Sequence, residues 1–403
     1  MARFKYTGRG RTGKKSGILT AGSTREAMLK LKNQGIRVIE MNEVPETLLT
    51  KDIAIGNPVK LQHMVIFLRQ FATLLQAGVT VVDATDILSS QTESKPLGKA
   101  LVEVQSELKD GNPLSDALAK HRRIFESMLI NMIRAGEASG SLDETLESLA
   151  THYEKQHMTR QKIVSALAYP AVVGVIAIAV VIFLLVAVVP TFVTMLSDFG
   201  GELPAITQFV LGSSEFMQKY WYLVTAAMAA FAAGIMVIKR NSKTKYYFDY
   251  AMLRMPIFGS MIQKAALARM TRTLSSLFSS SVPILQALAI VEKVVENEVV
   301  ARVLRQSRDS LEKGTSLTEP MKKHWAFPPL VTQMIAIGET TGSLDSMLGK
   351  VADFYEKEVE NSTDRLKSLI EPLMIVFLAA LVGTIVTSIM VPMFEIFNNV
   401  QGY

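Results

Sequence analysis

Residues 163–197 hold no charged side chain, and their centre, 171–189, reads "AVVGVIAIAVVIFLLVAVV". An α-helix needs about twenty apolar residues to cross a bilayer. A charge at mid-span would cost about 2.5–3.5 kcal/mol. A helix that is apolar on every face must sit in lipid or be enclosed by protein. Two further stretches share the pattern: 220–238, "YWYLVTAAMAAFAAGIMVI", and 372–394, "PLMIVFLAALVGTIVTSIMVPMF". Lys219 and Lys239 bracket the former, Glu371 and Glu395 the latter. The alanine-rich 220–238 stretch is the one that a buried core helix fits least badly. Composition agrees with a mixed molecule, since a 49% hydrophobic chain with mean hydropathy +0.25 still carries 20% charged residues.

Loop charges orient these spans. Arg160 and Lys162 precede the first; Lys239, Arg240, Lys243 and Lys245 follow the second; Arg365 and Lys367 precede the third. Between the first two, Lys219 stands against Asp198, Glu202 and Glu215. Basic residues stay on the cytoplasmic side. The expected topology is a cytoplasmic N-terminus, an external loop over 197–219, a cytoplasmic 239–370 segment and an external tail. The first fifty residues hold ten Lys+Arg against four Asp+Glu, a basic start suited to an anionic membrane surface or nucleic acid. Once spans are accepted, the membrane is the expected partner and nucleic acid is not. No apolar signal-peptide core follows that start.

The chain also repeats itself. "TLLQAGVTVVDA" (73–84) lies over "SLFSSSVPILQA" (276–287), and "KDGNPL" (109–114) over "EKGTSL" (312–317), both at an offset of 203. "AGEASGSLD" (135–143) lies over "IGETTGSLD" (337–345) at 202, as do Pro170 over Pro372 and Pro190 over Pro392. The unit is a cytoplasmic segment followed by a span, present twice. Within it, Leu61, Met64, Val65, Leu68, Phe71, Leu74 and Leu75 recur at helical spacing after Asn57-Pro58. No alternating run appears, so each copy is expected to be a bundle of about six helices.

The repeated "GE…GS" motif reads as a helix corner. Gly136, Glu137, Gly140 and Ser141 form it in the first copy, and Gly338, Glu339, Gly342 and Ser343 in the second. Gly140 ends one helix, and Ser141 is expected to cap the next in a capping box with Glu144. A calcium site from Glu137, Asp143 and Glu147 is a second reading of these carboxylates. No nucleophile or histidine accompanies them.

Other chemistry is narrowed. The chain lacks cysteine, which excludes disulfides, thiolate metal sites and thiol catalysis. Its five histidines, at 63, 121, 152, 157 and 324, form no metal spacing. "TGRGRTGKKS" (7–16) resembles a phosphate loop, but Lys15 stands where a hydroxyl must follow the lysine. A hairpin between strands 3–7 and 16–21 is expected there, then a helix over 23–34 and a strand at 36–41. No ionisable residue lies within a span, so no proton or ion path suggests itself; Glu371 stands at the mouth of the third.

The stretch "KIVSALAYPAVVGVIAIAVVIFLLVAVVP" (162–190) resembles the F family of type II secretion and type IV pilus systems, the PilC/GspF-like inner-membrane platform proteins. Lys162, Tyr169, Pro170 and Pro190 carry the resemblance, repeated as Glu371, Pro372 and Pro392 in the second copy, with "IEP" for "AYP". The resemblance implies a non-enzymatic protein of the bacterial cytoplasmic membrane without cofactor. It implies homo-oligomers (dimer or tetramer), hexameric assembly and retraction ATPases, pilin or pseudopilin subunits and other inner-membrane assembly components as partners. A transporter or permease subunit is the competing class. Exposed charge at Arg122 and Arg123, and at Arg305 and Arg308, marks a partner surface.

The expected whole is mainly α, a polytopic membrane protein with two repeated cytoplasmic bundles, three transmembrane helices and a small α+β N-terminal domain. The expected boundaries run 1–50 for that domain, 51–58 linker, 59–165 first bundle, 166–196 first span and 197–219 external loop. They continue with 220–238 second span, 239–264 cytoplasmic linker, 265–366 second bundle, 367–397 third span and 398–403 external tail.

Overall fold

The structure, a computed structural model, describes residues 2–10, 13–21, 24, 28, 32, 37–44, 57–191, 205–240, 242–256 and 258–401. The chain divides into two compact units, Met1–Pro58 and Val59–Tyr403. The first contains an antiparallel sheet of β1 (Ala2–Gly10), β2 (Gly13–Ala21) and β3 (Arg37–Val44), in the order β2-β1-β3. The glycine-rich stretch is the β1–β2 hairpin, with Lys14 opposite Arg9 and Lys15 opposite Gly8. A phosphate loop needs a strand, a loop and then a helix; here strands flank the turn on both sides. Of the helix expected over 23–34, residues 24, 28 and 32 are described, each helical; the 45–56 stretch lies outside the described residues.

The second unit is helical. The first copy contains α1 (Leu61–Gln76), α2 (Val81–Gln91), α3 (Lys95–Lys109), α4 (Leu114–Ala119), α5 (Ser127–Ser139) and α6 (Leu142–Phe183). Connecting helices α7 (Ala205–Arg240) and α8 (Ser242–Arg254) follow. The second copy contains α9 (Phe258–Ser279), α10 (Ile284–Val294), α11 (Glu298–Glu312), α12 (Glu319–Lys322), α13 (Pro329–Thr341) and α14 (Leu344–Gln401). Four of the six helix starts keep the sequence offsets: Val81 over Ile284 and Lys95 over Glu298 at 203, Ser127 over Pro329 and Leu142 over Leu344 at 202.

Local chemistry explains individual elements. α1 buries Met64, Phe67, Leu68, Phe71 and Ala72, a single stripe at three- and four-residue steps. α2 is capped by Thr80, whose hydroxyl accepts from Asp83 N at 3.1 Å. Asn297 caps α11 by accepting from the backbone N–H groups of Val299 and Val300, each at 3.1 Å.

The two copies share one core. A continuous cluster of buried residues runs from Val59 to Tyr355 and draws on both copies. α1 packs along α6, α9 along α14, and α6 against α14. Facing the long final helices α6 and α14 toward each other joins the hydrophobic faces of the two copies.

No loop separates bundle from span. α6 continues from Leu142 into its apolar half and α14 from Leu344 into its own, so the expected boundaries at 165/166 and 366/367 fall inside helices. Two helices, Leu142–Thr191 and Leu344–Ser388, are long and apolar enough to cross a bilayer, and only 6% of each apolar window is buried. That exposure argues against enclosed core helices. The third expected span, 220–238, is the later part of α7. Tyr220 interrupts α7 with non-helical φ −118° and ψ 17°, and Lys219 Nζ lies 5.6 Å from its ring centre. The part of α7 before this break packs at Val210 with Val189 and Ile385, near the far ends of the two apolar helices.

Candidate functional site: helix corners and the cleft between the copies

The corner motif is built alike twice. Gly140 and Gly342 take left-handed φ values of 74° and 71°, which L side chains adopt only at a cost. Ser141 N donates to Gly136 O at 3.0 Å, and Ser343 N to Gly338 O at 3.1 Å, closing the helix ends. Gly136 and Gly338 allow close approach: a Cβ at 136 would lie 2.9 Å from Thr145 Cβ, and one at 338 would lie 3.0 Å from Leu344 Cα.

The serine caps differ from expectation. The Ser141 side chain makes no cap bond; its hydroxyl pairs with Ser139 Oγ at 2.7 Å, as Ser343 pairs with Thr341 at 2.6 Å. The preceding turn offers a hydroxyl at hydrogen-bond distance, while the backbone carbonyl of Ser141 accepts the ordinary first helical bond from Thr145 N at 3.1 Å. The capping box with Glu144 therefore does not form.

Glu137 caps a different helix. Its carboxylate accepts from the backbone N–H groups of Leu114 (2.5 Å) and Ser115 (3.1 Å), at the start of α4. Glu339 repeats this with Leu317 N at 2.9 Å and the Ser316 hydroxyl at 2.7 Å. A carboxylate is the natural partner for unpaired N–H groups at a positive helix end. This explains why "GE" recurs beside "GNPL" and "GTSL". The carboxylates of the calcium reading have other roles here: Glu137 caps α4 and Glu147 pairs with Arg69 at 2.5 Å, while Asp143 stands in the first turn of α6. No group of metal-ligating side chains is assembled among the described residues. Glu137→Ala should lower stability by about 1.5–3 kcal/mol, the range for a charge-assisted hydrogen bond, while Ser141→Ala should cost less than about 0.5 kcal/mol, the lower limit for losing a side-chain cap. Denaturant unfolding of the detergent-solubilised protein tests this, and equal losses would refute it.

A second duplicated pair went unread in the sequence. Arg69 on α1 grips Glu154 on α6 through Nε–Oε1 at 2.6 Å and Nη2–Oε2 at 2.7 Å. Arg272 on α9 grips Glu356 on α14 through the same atoms at 2.7 and 2.9 Å. The signal was available, because Arg69 and Arg272 are 203 apart and both glutamates sit in "YEK". Arg272 also binds Asp353. Burial works against the Arg272 charge, but Glu356 and Asp353 outweigh it and hold its proton more tightly than usual.

Between the copies lies a cleft of about 370 Å³, lined by His152, Lys155, Arg160, Arg269, Arg272 and Glu356 among others. A neighbouring cavity of about 400 Å³ is lined by Lys155, Lys162, Asp353, Glu356 and Glu360 among others. Lys155 bridges the copies to Asp353 (3.2 Å) and Glu356 (3.3 Å), and Lys162 to Glu360 (2.6 Å). His152 is buried with Nδ1 3.3 Å from Ser276 Oγ. Burial, then the charges of Arg272 and Arg269, push its pKa down to about 4, so its ring is neutral near pH 7.

The remaining motif residues occupy the long helices. Tyr169 is exposed, and Pro170 lies inside α6 without ending it. Glu371 and Pro372 are exposed on α14, and Pro392 falls within the same helix. The departure comes before Pro190: Leu184–Val188 forms a π turn in which Val189 N donates to Leu184 O. Proline has no N–H for the next carbonyl in that pattern, and Leu185 O accepts from Ser214 Oγ at 2.5 Å instead. Thr207 Oγ1 likewise donates to Ser388 O at 2.7 Å on α14. Of the expected partner-surface residues, Arg122 and Arg123 are exposed in the α4–α5 turn. Arg305 instead pairs with Glu292 at 2.8 Å and with Glu298, and Arg308 with Glu292 at 3.3 Å.

These features define a class: a duplicated helical bundle with one core, each copy rooted in an apolar helix without an intervening loop. The family model described as "Type II secretion system (T2SS), protein F" matches residues 67–190 and 270–392, once per copy. The model of that protein's N-terminal domain matches residues 1–42. The chain belongs to the type II secretion system protein F family. It is 37% identical to the type IV pilus assembly protein PilC of Thermus thermophilus, covering 99% of each chain. It is 34% identical to PilC of Myxococcus xanthus over 99% of this chain and 96% of the other. It is 32% identical to the type II secretion system protein F of Aeromonas hydrophila over 94% and 98%.

Proposed function

We propose that this chain is the inner-membrane platform of a type IV pilus or type II secretion apparatus, on which cytoplasmic ATPases act to move pilin or pseudopilin subunits. The observation that carries the reading is the full-length likeness to PilC and protein F, together with bundles that run directly into the apolar helices. A load applied to a bundle passes along a continuous helix; the 42 residues of α6 span about 60 Å at 1.5 Å per residue.

In this reading the chain crosses the membrane three times, at 166–196, 220–238 and 367–397. Its N-terminus and both bundles are cytoplasmic, and the 197–219 stretch and the tail are external. The distribution of basic residues supports that orientation. The domain boundaries are those set out from the sequence, with a small α+β domain over 1–50. The partners are hexameric assembly and retraction ATPases, pilins or pseudopilins, other inner-membrane components and further copies of the chain as dimer or tetramer. No catalytic step is assigned to any residue. A permease reading draws no support from the apolar stretches 171–189, 220–238 and 372–394, which hold no Asp, Glu, Lys, Arg or His.

The ATPase-facing surface is assigned to Arg122 and Arg123, because Arg305 and Arg308 already serve the ion cluster that ties α10 to α11. Reversing both Arg122 and Arg123 to glutamate should leave membrane insertion intact. It should weaken ATPase co-purification in a salt-sensitive way, since exposed charges are screened beyond about 10 Å at 0.1 M. Normal recruitment by the variant would remove this surface. Normal filament assembly or secretion after deleting the whole protein would remove the platform reading itself.

A further inference from the structure

The cleft between the copies has chemistry that structural packing alone does not require. Its basic groups are Lys155, Arg160, Arg269 and Arg272, and its acids are Glu296 and Glu356, with Asp353 adjoining. Arg272 and Lys155 are held by Glu356 and Asp353. Arg160 is exposed and has no carboxylate partner among the described residues. Arg269 pairs with Glu296, which is three-quarters exposed. Such a pair is worth little and exchanges readily for another anion. Gln156 and Thr159 add neutral donors. The same wall continues into Ile163 and Val164, where the charge-free run of α6 begins. One cavity therefore offers cationic donors and an apolar wall, at the level where α6 enters lipid.

We propose that this cleft binds the phosphodiester headgroup of an anionic phospholipid of the cytoplasmic leaflet. Arg160 and Arg269 face the phosphate, and Ile163 and Val164 lie beside the start of the acyl chains. Arginine suits this task because its planar donors match phosphate oxygens in pairs. A volume of about 370 Å³ is within the size range of small-ligand sites. A lipid wedged between α6 and α9 would join the two copies where the bundles meet the membrane. The proposal rests on the reading of α6 as a span with its first half on the cytoplasmic side.

The test uses full-length protein in a mild neutral detergent, titrated with phosphatidylglycerol or phosphatidylcholine and followed by native mass spectrometry. Wild type should prefer phosphatidylglycerol by about thirtyfold, as expected for two basic side chains near an anionic surface. Arg160→Gln with Arg269→Gln should abolish the preference, Arg160→Lys with Arg269→Lys should retain part of it, and Arg122→Gln with Arg123→Gln should leave it unchanged. A preference that survives the cleft glutamines, or is lost equally in the Arg122/Arg123 control, overturns the proposal. Inorganic phosphate distinguishes the sources: if it binds wild type without lipid and displaces phosphatidylglycerol, the cleft is a site for soluble phosphate and the lipid assignment fails. Extraction of wild type from membranes by alkaline washing would instead remove the membrane reading. A preference that survives in the cleft glutamine variant while filament assembly stays normal would sink this proposal and leave the platform function standing.

Discussion

Glu356→Ala should destabilise the protein by about 3 kcal/mol, whereas Glu154→Ala, the same change in the other copy, should cost about 1 kcal/mol. The two glutamates have the same neighbours in sequence and grip their arginines through the same atoms. What differs is water. The side chains of Arg272 and Glu356 are each 15% exposed, against 36% and 34% for Arg69 and Glu154. Removing one partner of a shielded pair leaves a charge that water solvates poorly, and the cost reaches about 3–5 kcal/mol when the pair is fully buried. The lower end applies because Arg272 keeps Asp353. Arg69 is better placed, with Glu147 as a second carboxylate and solvent at hand. Replacing both partners, Arg272→Met with Glu356→Leu, should recover most of the loss. Urea unfolding in detergent, followed by tryptophan fluorescence or circular dichroism, measures each step. Equal losses for Glu154→Ala and Glu356→Ala would show that burial does not govern these pairs.

Gly136→Ala should cost about 1–3 kcal/mol, the range for overpacking a well-filled interior. The added methyl would overlap Thr145 Oγ1 and sit 2.9 Å from Thr145 Cβ. Thr145 cannot turn away easily: it is buried, and its hydroxyl donates to Ser141 O at 2.9 Å. The first turn of α6 must therefore move off α5. Because α6 continues toward the membrane, the displacement is carried along the helix rather than absorbed in a loop. Thr145→Ala in the same background removes the overlapping hydroxyl and should restore part of the stability. At Gly338 the tight contacts are with Leu344, whose Cα belongs to the backbone, so Leu344→Ala should rescue Gly338→Ala less well. Unfolding midpoints of the two rescue pairs decide this. Full rescue at 338 would contradict the backbone origin of that clash.

Much of the architecture was legible because it is written in local, periodic terms. The charge-free run at 163–197, the repeats at offsets of 202 and 203, and the helical character of each copy follow from hydropathy and spacing. The "GE…GS" corner was also readable as a helix end, since Gly140 and Gly342 need backbone freedom that a sequence displays openly. The identity of the capping groups was not. Ser141 looked like the cap, but a nearby hydroxyl at Ser139 took its side chain. The capping carboxylate, Glu137, serves a helix that begins 23 residues earlier.

By itself, then, the sequence determined that the chain is a duplicated helical protein with apolar helices suited to a membrane, because hydrophobic periodicity and charge exclusion act over single elements. Only the tertiary structure decided how those elements use their polar groups. It joined both copies into one core, half-buried the Arg272 pair while leaving the Arg69 pair wetter, and aligned Lys155 and Lys162 with carboxylates about two hundred residues away. It also brought Ser214 to the carbonyl of Leu185 beside the π turn before Pro190. Each of these depends on which side chains meet across large sequence separations. The strength of a charge or a hydrogen bond is set by what surrounds it, so residues with identical neighbours in the two copies ended with different energies.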